Sequence, residues 1–156
     1  MSNHTKNLKE ISEFMKSKNI MALATHDEDI WACTVYYGLD DDLNLYFVSP
    51  PTAKHSKHIK ETGEVAFAIF DSNQPVSTKT KQGVYGQGNC KVLSNIVDTT
   101  KGLMLWNKSH KLKIDTIPLK DILEKLTTSK VYKITPTKLK MFGATDGDEK
   151  EIVVDL

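Results

Sequence analysis

Between residues 7 and 18 the apolar side chains Leu8, Ile11, Phe14 and Met15 recur at three- and four-residue intervals among Lys and Glu, which sets them along one stripe of a helix. Such a helix is expected to cover a sheet. Residues 20–25 form a short apolar run and His26-Asp27-Glu28-Asp29 turns the chain. Residues 30–39 are rich in aromatic and β-branched side chains, so a hairpin is expected. Asp40-Asp41-Asp42 marks a second polar turn before a strand over 43–48, and the three runs together predict a three-stranded meander. A helix is expected over 52–60, stopped by Gly63, and the near-continuous apolar run 64–70 reads as a strand central to the sheet.

The stretch 71–82 is polar and turn-rich. Alternation resumes over 83–93, where glycines inside a strand point to bends, bulges or close approach of a ligand. Residues 97–126 read as mostly helical, with Trp106 at core-like spacing and Pro118 opening a second helix; final strands are expected over 130–134 and 138–142. Pro136 and the 146–149 turn read as loop punctuation. Six or seven short strands with a few helices predict a mainly β fold, a small β-barrel with flanking α-helices. At 156 residues and 39% hydrophobic content, the whole chain, 1–156, is expected to form one domain.

Charge narrows the partners. The formal net charge is only +1, so no global field favours nucleic acid or an anionic membrane, and the Lys-rich stretch 108–113 has no supporting charge around it. No apolar run reaches the length of a membrane span and the first residues lack an apolar signal core, which predicts a cytoplasmic protein. All 21 basic residues are Lys; with no Arg, anion binding falls to Lys, hydroxyls and backbone amides. Cys33 and Cys90 read as buried free thiols.

The segment from Ser49 to Ile59 carries the clearest chemistry. It sets Ser49, Thr52 and Lys54 where an aromatic strand gives way to a helix start, and unpaired amides with the positive end of the macrodipole suit a phosphate there. Lys57, one turn on, is a second candidate cation. The same residues also fit an ordinary hydroxyl N-cap. His55 and His58 lie three apart, but no third ligand is visible, so no metal is expected. His26 and His110 read as surface residues. Tyr36 and Tyr37 alternate faces, one buried and one open to a cleft.

Four pieces in order, Met21-Ala22-Leu23-Ala24-Thr25, Trp31-Ala32-Cys33-Thr34-Val35-Tyr36-Tyr37, Leu45-Tyr46-Phe47-Val48-Ser49 with Thr52-Ala53-Lys54, and Gly83-Val84-Tyr85-Gly86-Gln87-Gly88, resemble the pyridoxamine 5′-phosphate oxidase-like family with its FMN-binding split barrel. The resemblance covers roughly residues 8–95. It implies a homodimer holding FMN at the subunit interface and an FMN-dependent oxidoreductase acting on a small-molecule substrate or electron donor. It carries the phosphate to Ser49, Thr52 and Lys54, and sets Thr34, Val35 and Gln82 beside the flavin ring. Lys79 and Lys81 are candidate donors toward the reduced ring only because they precede the glycine-bearing strand, and read otherwise as two solvated loop lysines. True pyridoxamine phosphate oxidase activity is not expected, because the family's arginines and its Arg-containing, Pro-terminated tail are missing. The alternative expectation is a non-catalytic or stress-related split-barrel protein without tight FMN. Heme would want an axial ligand and a deazaflavin a basic groove, and neither is evident.

Overall fold

A computed structural model describes residues 1–76, 81–109, 119–143 and 150–156. Helix α1, Asn3–Lys16, starts earlier than the apolar spacing predicts because Ser2 caps it, its hydroxyl accepting from the Thr5 N–H. Ile11 and Met15 are its buried stripe, and the Tyr37 hydroxyl pins its last turn by donating to the Met15 carbonyl at 2.5 Å.

The strands are β1 (Ile20–His26), β2 (Ile30–Tyr36), β3 (Gly38–Leu39), β4 (Leu45–Ser49), β5 (Glu64–Phe70), β6 (Gly83–Val92), β7 (Lys130–Gly143) and β8 (Lys150–Asp155). They form one antiparallel sheet in the order β2-β1-β5-β6-β7-β4-β3, with β8 also on β7. As expected, β5 is central, between β1 and β6. Helix α2 is Lys54–Thr62, α3 is Ile96–Ser109 and α4 is Leu119–Thr128. No described helix is long and apolar enough to cross a membrane.

The predicted meander is corrected. β2 pairs with β1 alone, and the chain leaves it at Tyr37, whose N–H donates to the Asn19 carbonyl. β3 and β4 then form a separate hairpin. Its turn is organised by the buried Asp40 carboxylate, which accepts from the Asp42 and Asn44 amides, the Asn44 side chain and the Tyr46 hydroxyl. Burial opposes ionisation of Asp40, but the Asn44 bonds and then those of Tyr46 and Asp42 outweigh it and hold its carboxyl below the usual range. Gly38 opens the hairpin because a Cβ there would sit 2.3 Å from the Leu105 carbonyl carbon on α3.

The two expected final strands are one. β7 runs unbroken through Pro136, which lies opposite Gly88 where the register with β6 shifts, so the missing N–H falls at a bulge. One edge of β7 pairs with β6; the other is shared by β4 along residues 130–134 and β8 along 138–143. β8 alternates buried Ile152 and Val154 with exposed Val153. Residues 110–118, with His110 and Pro118, and the 146–149 turn lie outside the described residues.

The main core fills the concave side of the curled sheet, with Leu23, Leu45, Phe47, Ile69, Ile134 and Leu139 against Ile11 and Met15. Across β4 and β7, Tyr46 and Val131 pack on Leu103 and Trp106 of α3, so Trp106 is core. Covering both faces explains why β4 is apolar almost throughout.

Candidate cofactor site

β4 ends at Ser49 because Pro50 and Pro51 cannot continue the ladder; the Ala53 N–H returns to the Pro50 carbonyl and α2 begins. The expected hydroxyl cap is absent. Ala53 is the N-cap and makes no side-chain capping bond, so the first-turn amides of α2 carry the helix's positive end without a side-chain acceptor. Ser49 is buried instead, its hydroxyl 2.5 Å from His55 Nε2. Thr52, Lys54 and Lys57 are exposed around the turn and the first helical turn. Burial, and then the charge of His58, lower the pKa of His55.

Lys54 has partners that its spacing does not announce. Its ammonium is ion-paired with Asp29 and lies 4.7 Å from the centroid of the Trp31 ring. Asp29 is shared: its other oxygen is 3.1 Å from Nε2 of buried His58, whose Nδ1 is 3.0 Å from the buried Thr25 hydroxyl. A carboxylate only accepts, so His58 Nε2–H donates to Asp29, and in the neutral ring Nδ1 accepts from Thr25. The Lys54 hydrogen bond is the main cause holding the Asp29 carboxyl below its ordinary value. The β1–β2 turn is thereby tied to the start of α2.

The outer face of β2, β1, β5 and β6 carries mostly small side chains. Register sets Ala32, Ala24, Ala66 and Gln87 in one row and Thr34, Ala22, Ala68 and Tyr85 in the next. Exposed Tyr36, Ile20 and Phe70 border it at one end and Ile30, 83% exposed, at the other. There a groove of about 460 Å³ runs over Ala24 and Ala66 between His26, Glu64, Gln87 and Asn89, with His26 Nε2 2.8 Å from Glu64.

The expected site residues therefore separate. Thr34 lies on this outer face with Tyr36; Val35, one residue on, points the other way into the core. Gln82 adjoins the Gly83 end of β6, its N–H donating to the Gln74 side-chain carbonyl, in a groove of about 580 Å³ with Phe70 and Tyr85. Strand rise puts the Gly83–Phe70 end, where Gln82 lies, about 20 Å from the Glu64–Asn89 end. Lys81 lies over Phe142, and Lys79 is outside the described residues. Trp31 faces the α2 side and the alanine rows face outward, so a ligand touching both must wrap the edge strand β2. Among the described residues no three His, Cys, Asp or Glu side chains gather as a metal site.

Sequence reasoning missed Asp29 and Thr25, and weighed His58 only as a metal ligand beside His55. Residues 26–29 read as a mere polar turn, and only the 25-residue separation closed by folding makes Asp29 the counter-ion of Lys54.

A curled antiparallel sheet with this strand order and flanking helices defines a split barrel of the pyridoxamine 5′-phosphate oxidase-like fold. Solved structures share this fold. A heme binding protein from Mycobacterium smegmatis superposes with TM-score 0.73 at 13% identity, over 99% of this chain and 59% of that one. A candidate pyridoxamine 5′-phosphate oxidase from Listeria innocua gives 0.63 at 15%, over 86% and 96%. A FAD-binding protein from Mesorhizobium loti gives 0.64 at 15%, over 85% and 90%. No family model matches the sequence, and no curated protein does.

Proposed function

We propose that this chain binds FMN and acts as an FMN-dependent oxidoreductase on a small molecule, as a homodimer with the cofactor between subunits. The observation that carries the reading is the uncapped N-terminus of α2 with Lys54 held over Trp31, across the edge strand β2 from an exposed, small-residue sheet face. The donor set fits a phosphate: helix amides supply directional donors, Lys54 and Lys57 supply charge, and exposed Thr52 supplies a hydroxyl. FMN would bring hydride chemistry; the chain would bind, orient and exclude water. Asp29 tethers Lys54 before binding and must share it with a phosphate afterwards. Methyl groups of Ala24, Ala32 and Ala66 let a planar ring approach the sheet closely. The outer wall of such a site must come from elsewhere, which is the support for a second subunit, together with exposed Ile30, Tyr36 and Phe70 on that face.

One observation favours the non-catalytic alternative: the cation at the helix start is already neutralised by Asp29. The visible spectrum of the purified protein, before and after FMN addition and gel filtration, separates the two. Retained flavin near one per chain, reducible by a nicotinamide donor, supports the proposal; no retained flavin overturns it, and a Soret band replaces FMN by heme.

A further inference from the structure

The face of α2 turned away from Lys54 forms a second, independent site. Ser56 and Lys60 are one helical turn apart, about 200° and about 240° around the axis from Lys54. With Lys91 at the end of β6 and Lys130 at the start of β7 they line a groove of about 410 Å³, floored by Ile59 and Tyr132. Two features point to a ligand. The Ser56 hydroxyl is the one buried side-chain polar atom among the described residues without a hydrogen-bond partner, in a residue 3% exposed. Such orphans are rare in folded proteins and mark a missing partner. The second feature is charge: three lysines converge on the rim, no carboxylate lines the groove, and none of the three has an ion-pair partner among the described residues. Seven other lysines of the chain, Lys16 and Lys54 among them, do lie beside a carboxylate.

We propose that this groove binds a small organic oxyanion, a carboxylate or phosphate monoester on an apolar or aromatic body. Tyr132 and Ile59 receive the body, the lysines receive the charge, and Ser56 donates to an oxygen of the ligand. The volume falls in the range of small-molecule sites. Sulfur chemistry is not involved: neighbouring Cys90 is buried, with its pKa pushed up to about 12 by burial, so it stays a thiol.

The test is titration of the ¹⁵N-labelled protein with phenyl phosphate, benzoate and neutral phenol, followed by amide cross-peaks. Saturable shifts at Ser56, Lys60, Lys91 and Lys130 with either anion, and none with phenol, are expected. Lys91→Gln with Lys130→Gln, both surface positions, should weaken binding at least tenfold with the rest of the spectrum unchanged, and Ser56→Ala should weaken it several-fold. Shifts confined to Lys54 and Trp31, equal response to phenol, or affinity untouched by the double lysine variant would overturn the proposal. The readout is separate from flavin retention, so either site can fail alone.

Discussion

Replacing Lys54 by Ala tests the phosphate assignment with a control built into the ligand, because riboflavin is FMN without its phosphate. A hydrogen bond to a charged group contributes about 1.5–3 kcal/mol net. Lys54 is 41% exposed, so the lower part of that range applies, about 1.5–2 kcal/mol. At about 1.4 kcal/mol per decade, FMN affinity should fall roughly 10- to 30-fold. Removing the lysine also strips Asp29 of its main counter-ion and leaves a carboxylate facing the phosphate, which acts in the same direction. Riboflavin affinity should change less than about twofold, since the helix amides and the sheet face are untouched. Fluorescence-quenching titrations of both flavins against both proteins give the four dissociation constants. Equal losses for FMN and riboflavin would show that Lys54 acts through the fold, and no loss for FMN would place the phosphate elsewhere; either refutes the assignment.

Asp29→Asn should act oppositely, raising FMN affinity by releasing Lys54 while His58 keeps an amide oxygen to donate to; lower affinity in the same titration would show that Asp29 positions Lys54 instead. His55 has a lowered pKa, so above the ordinary histidine value of 6.5 its buried neutral form contributes fully to stability, and as pH falls below that value the unfolded chain takes up the proton first. Tm should therefore drop as pH is lowered through 6.5, and His55→Gln should flatten that part of the Tm–pH curve; an unchanged slope sinks the argument. Gly38→Ala forces a Cβ into the α3 backbone and should destabilise by about 2–3 kcal/mol, lowering Tm by about 4–12 °C in calorimetry; an unaltered Tm would mean that α3 does not sit against β3 in solution.

What the sequence discloses and what it hides follow from the range of the interactions. The α1 stripe and the apolar run of β5 are local signals: β5 appears to the residue, and α1 appears with its start moved back to Asn3 by the Ser2 cap. Strand pairing is not local: three runs in a row suggest a meander, yet Gly38 and the Asp40 turn divert the chain, and β4 finds its partner in β7, more than 80 residues on. Pro136 reads as a break until the bulge at Gln87 and Gly88 shows why a ladder tolerates it. β8 is hidden by its brevity, because three successive apolar residues, Ile152, Val153 and Val154, show no alternation until folding buries the first and third. At the candidate site, Lys54 at the start of a helix is legible from spacing alone. The Asp29 clamp, the Ser49–His55 contact and the orphaned Ser56 are products of tertiary packing that no window of sequence contains.

The alanine rows on the outer sheet have a consequence in conformational entropy. A methyl group has no rotamers to lose, whereas long side chains forfeit about 0.5–1.5 kcal/mol each when an interface immobilises them. Whatever settles on Ala22, Ala24, Ala32, Ala66 and Ala68 therefore meets a surface already in its bound form. That face resembles a machined bearing more than an adhesive: its grip depends on fit, so one bulky substitution in the middle of the rows would disturb every contact across it at once.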